Sequence, residues 1–154
     1  MDPSLKAMFE KQGYAVVGNH SAVKTCHWLK ESIMRGRVCY KQSFFGIKSH
    51  RCIQMTPVAN MCNHSCLYCW RYQGSDDTVE KWDNPKEIVD GTIVAQRRLV
   101  SGFKGDDRCD PEVWNEARDP NQVAISLTGE PTMYPYLGEL IEEYKKRGFS
   151  TFLV

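Results

Sequence analysis

Three cysteines carry the most specific chemistry in this chain. Cys62, Cys66 and Cys69 stand in the run Cys62-Asn63-His64-Ser65-Cys66-Leu67-Tyr68-Cys69, a C-x3-C-x2-C spacing with an aromatic residue just before the last cysteine. Soft thiolates this close in sequence suit iron and sulfide. A 4Fe-4S cube held by three protein ligands keeps one iron open to another molecule, which in an enzyme is the useful feature. The competing reading is a zinc knuckle with His64 or a distant cysteine as fourth ligand. His64 itself reads as a loop residue.

A second set, Cys26, Cys39 and Cys52, is spaced by thirteen residues each. That is too wide for one tight ligand loop, but a folded segment can bring the three together; the alternative is scattered buried thiols. Cys109, in an acidic polar stretch, reads as a free thiol. Seven cysteines is an odd number, which argues against full disulfide pairing.

The elements that must hold these residues can be read from pattern. Ile53 to Ala59 is a short apolar strand ending at the cysteine loop, weakened near Pro57. Asn84-Pro85-Lys86-Glu87 starts a helix with a capping asparagine, a first-turn proline and an acid at the capping-box position, and Gly102 ends it. Val123 to Leu127 is a second buried strand. Tyr136 to Arg147 is a second helix closed by Gly148, and Phe149 to Val154 begins a third strand. Strand, helix, strand, helix, strand implies parallel pairing with crossovers, in a barrel or an open sheet. Ligands in such folds sit beyond the carboxyl ends of the strands. Ser126-Leu127-Thr128-Gly129-Glu130-Pro131-Thr132, at the end of the second strand, should therefore share a rim with the cysteine loop. The chain stops at Val154 within an apolar strand, which reads as an N-terminal portion of a longer fold.

Composition adds bounds. With 42% hydrophobic and 25% charged residues the chain is of ordinary globular type. Residues 1–13 are charged and helix-like, without the apolar core of a signal peptide, and no apolar run spans a bilayer, so a cytoplasmic location without membrane attachment is expected. The net charge of +1 is uneven: Met1 to Arg71 has ten Lys/Arg against three Asp/Glu, and Tyr72 to Asp119 seven against twelve. A basic arm can track phosphates, as Lys24, Lys30, Arg35, Arg37 and Lys48 could, or can simply be a solvated surface.

The cysteine loop resembles that of the radical S-adenosylmethionine (SAM) enzymes. The resemblance implies that SAM chelates the open iron and that an electron from the cluster cleaves SAM to release a deoxyadenosyl radical. Tyr68 matches the position lying against adenine. Gly129 and Glu130 match the Gly-Gly-Glu motif that receives the SAM amino group, with Thr128 replacing the first glycine. Three features together are similar to one family, the tRNA 4-demethylwyosine synthases: the Cys26, Cys39, Cys52 set, Met55 to Arg71 (MTPVANMCNHSCLYCWR), and Ser126 to Pro135 (SLTGEPTMYP).

That resemblance implies an α/β fold, a partial (β/α) radical SAM TIM-like barrel truncated at about the third strand. Residues 1–52 would form an extension carrying an auxiliary cluster, and residues 53–154 the first part of the barrel. It implies two 4Fe-4S clusters, one on Cys62, Cys66 and Cys69 and one on Cys26, Cys39 and Cys52. Lys41 matches the lysine that holds pyruvate as a Schiff base. The reaction joins two carbons of pyruvate to N1-methylguanosine in phenylalanine tRNA. The absence of a flavodoxin-like domain points to the archaeal type, a monomer reduced by an external ferredoxin or flavodoxin. Another radical SAM reaction, or an iron-sulfur or zinc module that only binds nucleic acid, are the rival readings.

Overall fold

The structure, a computed structural model, describes residues 1–69, 71 and 78–154. Trp70, inside the Met55 to Arg71 motif, lies outside the described residues. A helix α1 (Pro3–Lys11), capped by Asp2 through the amides of Ser4 and Leu5, precedes a hairpin of two short strands, β1 (Ala15–Val17) and β2 (Ser21–Val23). Helices α2 (His27–Arg35) and α3 (Tyr40–Phe45) follow, and β3 (Cys52–Thr56) then enters the sheet. The long helix α4 (Pro85–Ser101), a short α5 (Pro111–Ala117), β4 (Gln122–Ile125), α6 (Leu137–Lys146) and β5 (Ser150–Leu153) complete the chain.

The five strands among the described residues form one sheet in the order β1-β2-β3-β4-β5. The hairpin joins β3 antiparallel, while β3, β4 and β5 run parallel, with Met55 opposite Ile125 and Ile125 opposite Leu153. The expected succession of parallel strands and helices is thus present, and the sequence reading missed the hairpin beside it. One face of the sheet is covered by α4 and α6. Ile53, Met55, Val123 and Ile125 pack there against Ile88, Val89, Leu140 and Tyr144. Helix α4 begins as its sequence indicates: Asn84 accepts from the Lys86 amide at 2.9 Å, and Pro85 occupies the first turn, where a missing N–H is harmless. Buried Tyr144 donates to Thr92 Oγ1 across 2.6 Å, and Thr92 in turn donates to the Val89 carbonyl.

Boundaries shift where the backbone has another task. β4 ends at Ile125 instead of Leu127 because Leu127 turns to φ +85. β5 starts at Ser150 because the Phe149 amide is spent on the Tyr144 carbonyl at the end of α6. A separate cluster of Leu29, Ile33, Val100, Trp114 and Ala117 ties α2 to α5 and the end of α4, with Cys26 and Cys109 at its margin. No helix among the described residues is long and apolar enough to cross a membrane.

Candidate functional site

The cysteine loop leaves β3 at Pro57 and is carried outward by a well-anchored segment. Thr56 Oγ1 both donates to the Val58 carbonyl and accepts from its amide, and the Ala59 amide donates to the His20 carbonyl. His20 is fully buried. Its Nε2 accepts the Asp83 amide at 2.8 Å, so its Nδ1 is the donor to the Pro57 carbonyl at 2.6 Å, which fixes a neutral tautomer. Beyond this anchor Cys62, Cys66 and Cys69 are exposed and in no disulfide, with a turn between the last two. Tyr68 is 87% exposed, so its ring is available to stack on a planar ligand.

The second motif comes to the same place. After β4 the chain passes through Leu127 at φ +85 and Gly129 at φ +66, two left-handed residues that swing the loop toward the cysteines. A left-handed leucine is strained by about 1–2 kcal/mol. Thr128 between them is buried and is not left-handed, so no glycine is needed there for backbone reasons. The Glu130 amide donates to the Met61 carbonyl at 2.9 Å, directly linking the two loops. The Glu130 carboxylate accepts from the Thr132 amide and hydroxyl at 3.0 and 2.6 Å through Oε1, while Oε2 lies 3.5 Å from His64 Nε2. Cys62, Cys66, Cys69, Tyr68, Gly129 and Glu130 thus line one cleft of about 440 Å³ at the carboxyl ends of β3 and β4. Ser126 lines it too, as expected of the run it opens, and so do Gln54 and Arg71, which the sequence reading did not single out. Gln54 was the legible one: it is the one amide side chain within a strand otherwise built of Cys, Ile, Met and Thr.

The other set gathers at the opposite end of β3. Cys26 and Cys39 are the residues from which α2 and α3 start, and Cys52 is the first residue of β3. Cys39 and Cys52 are buried; Cys26 is half-buried. Burial pushes the Cys52 thiol up to about 12, with Lys41 pulling it down and Cys26 and Cys39 pushing it further up, so all four residues share one electrostatic neighbourhood. Lys41 and Cys52 line a mostly apolar cavity of about 200 Å³ with Phe45, Gln122 and Phe152, and the Lys41 ammonium lies 5.2 Å from the Phe152 ring centroid. Cys26 and Cys39 do not line it. Cys109 is a half-buried free thiol with its own raised pKa, caused first by burial and then by Asp110 and Asp106.

Among the described residues no three or more His, Cys, Asp or Glu side chains stand close enough to hold a single metal ion. A cube accepts a wider set, because each thiolate ligates a different iron. Three exposed thiols around a cleft, with the Tyr68 ring on the same loop and the Glu130 carboxylate on the facing one, fit such a group in donor type and in access.

No family model matches the chain. The S-adenosyl-L-methionine-dependent tRNA 4-demethylwyosine synthase of Pyrococcus abyssi is 51% identical over 158 aligned residues, covering 100% of this chain and 46% of that protein. A solved structure of TYW1 with a lysine-pyruvate adduct bound superposes with a TM-score of 0.91 at 39% identity, covering 99% of this chain and 51% of that one. The crystal structure of an archaeal TYW1 gives a TM-score of 0.82 at 37% identity, covering 99% and 52%. The chain spans about half the length of these relatives. Over that whole span, in sequence and in fold, it matches the S-adenosyl-L-methionine-dependent tRNA 4-demethylwyosine synthases.

Proposed function

We propose that this chain carries both reaction sites of a radical SAM 4-demethylwyosine synthase, a tRNA-modifying enzyme that condenses N1-methylguanosine of phenylalanine tRNA with pyruvate. The observation that carries the reading is the convergence of the cysteine loop and the Gly129-Glu130 loop on one cleft, held by the Glu130–Met61 hydrogen bond. Cys62, Cys66 and Cys69 would hold one 4Fe-4S cluster, whose chemistry when bound is one-electron reduction of SAM. Tyr68 offers a stacking face for adenine, and Gly129 and Glu130 offer acceptors for the SAM amino group. Cys26, Cys39 and Cys52 would hold the second cluster. In this division residues 1–52 supply the auxiliary site and residues 53–154 the first strands of a barrel, working as a cytoplasmic monomer with an external electron donor.

Lys41 is the residue for pyruvate. Its amine reaches a cavity large enough for a three-carbon acid, beside Cys52, and a relative of the same fold has been solved with a lysine-pyruvate adduct. Condensation of the amine with the keto carbon releases one water and leaves an imine, which anchors the pyruvate at a fixed distance from the cysteine cleft.

The test is anaerobic reconstitution with iron and sulfide analysis, together with borohydride trapping of pyruvate read by mass spectrometry. The wild-type chain should hold two clusters, Cys26→Ala one and Cys62→Ala one. Reduction should attach pyruvate to Lys41 and not to a Lys41→Arg variant. A single cluster that persists in Cys26→Ala, with no trapped adduct, would sink the proposal.

A further inference from the structure

The structure sorts the basic residues of the N-terminal half. Arg35 and Arg37 are engaged by Glu31 at 3.0 and 3.6 Å, and Lys48 by Glu116 at 2.6 Å. Lys30 lies within electrostatic reach of Asp106. Lys24 differs from all of them. Its amide donates to the Gln54 carbonyl at 3.1 Å, one step beyond the Val23–Met55 pair. Val23 and Met55 point into the core under α4, so Lys24 and Gln54 share the other face of the sheet, and Gln54 lines the cysteine cleft.

On that face Lys24 meets a second cation. Its ammonium sits 4.5 Å from the centroid of the Tyr14 ring, and the Tyr14 hydroxyl accepts from Arg71 Nη1 at 2.7 Å. Arg71 is itself a wall of the cleft. Tyr14 is buried and held by Phe9 at a ring separation of 5.0 Å, so the platform under both cations is rigid. Among the described residues no carboxylate forms an ion pair with Lys24.

We propose that Lys24 and Arg71, aligned by Tyr14 at the rim of the cysteine cleft, bind a backbone phosphate of the RNA strand whose base enters that cleft. The inference rests on the tRNA reading above. A base that must reach between the two loops leaves the stack and trails its sugar and phosphate over the rim. There a guanidinium fork and an ammonium point charge suit phosphate oxygens.

The experiment measures binding of an anticodon stem-loop carrying N1-methylguanosine to the anaerobically reconstituted 154-residue chain, by fluorescence anisotropy across a series of salt concentrations. Lys24→Met should weaken binding severalfold and reduce the slope of log K against log salt by about 0.7 to 0.9, the signature of one lost phosphate contact. Lys24→Arg should restore both, and SAM affinity should be unchanged in either variant. A wild-type slope in Lys24→Met overturns the proposal. So does a loss of SAM affinity with RNA binding intact, which would make the SAM carboxylate the anion. A wild-type chain that binds no stem-loop at all would remove the tRNA reading itself, and this inference with it.

Discussion

Replacing Gly129 by alanine should separate the two loops that make the cleft. Two effects add at this position. The backbone sits at φ +66, where an L-residue costs about 1–2 kcal/mol. A Cβ there would overlap the Val58 carbonyl oxygen and lie 2.8 Å from the Met61 carbonyl oxygen, both backbone atoms that cannot rotate away. Relieving such an overlap in a packed site costs about 1–3 kcal/mol. Because Met61 is also the acceptor of the Glu130 amide, moving the loops apart forfeits that hydrogen bond, worth about 1 kcal/mol net. Gly36 supplies the control, with φ +67 and nothing within 4 Å of the added carbon, so Gly36→Ala carries the backbone cost alone. The expected excess of Gly129→Ala over Gly36→Ala is about 2–4 kcal/mol, read as a Tm difference of roughly 5–15 °C in thermal melts of the apo chain. If the two variants melt together, the close apposition of the loops described above is wrong.

Two further predictions use the titrating groups. Burial holds the Cys52 thiol up at about 12, so iodoacetamide at pH 8.5 should alkylate the exposed Cys62, Cys66 and Cys69 well before Cys52, as peptide mass mapping over time would show; Cys52 labelled as fast as the loop would contradict its placement. Hydrogen bonds from Lys48 first and His50 second hold the Glu116 carboxyl down at about 2. Its folded value lies below the ordinary one near 4.5, so its contribution is present above that value and is lost as pH falls through about 2. Urea midpoints of the wild-type chain should fall more steeply across that interval than those of Glu116→Gln, and parallel curves would refute the assignment.

What could be read from the sequence follows the range of the forces involved. The start of α4 was legible because Asn84, Pro85 and Lys86 satisfy one another locally, and the β3-α4-β4-α6-β5 succession because each element carries its own apolar period. The cysteine loop was legible because ligand spacing is a property of sequence. The β1-β2 hairpin was not. Its strands are three residues each, too short for alternation to register, and they owe their place to pairing with β3 and to the Asn19–Asp83 contact across 64 residues. Leu127 gave no sign of its left-handed backbone, since nothing in a leucine asks for φ +85; its side chain is buried in a cluster with Tyr14, Ala22 and Ala59, all distant in sequence. Helix α5 could have been seen, because Asp110-Pro111 is a capping pair like Asn84-Pro85.

The register of β3 ties the two ends of the proposed chemistry together. Ile53 and Met55 are buried under α4 and α6, so by the alternation of a strand Cys52 and Gln54 fall on the other face. Cys52 opens into the Lys41 cavity and Gln54 into the cysteine cleft, and two residues along a strand span about 6.6 Å. A slip of one residue would drive Cys52 and Gln54 into the core and turn Ile53 and Met55 outward. That slip is opposed on both sides, by the Val23–Met55 pairing with β2 and the Ile53–Val123 and Met55–Ile125 pairings with β4. The distance between cavity and cleft is therefore set by the sheet and its buried face.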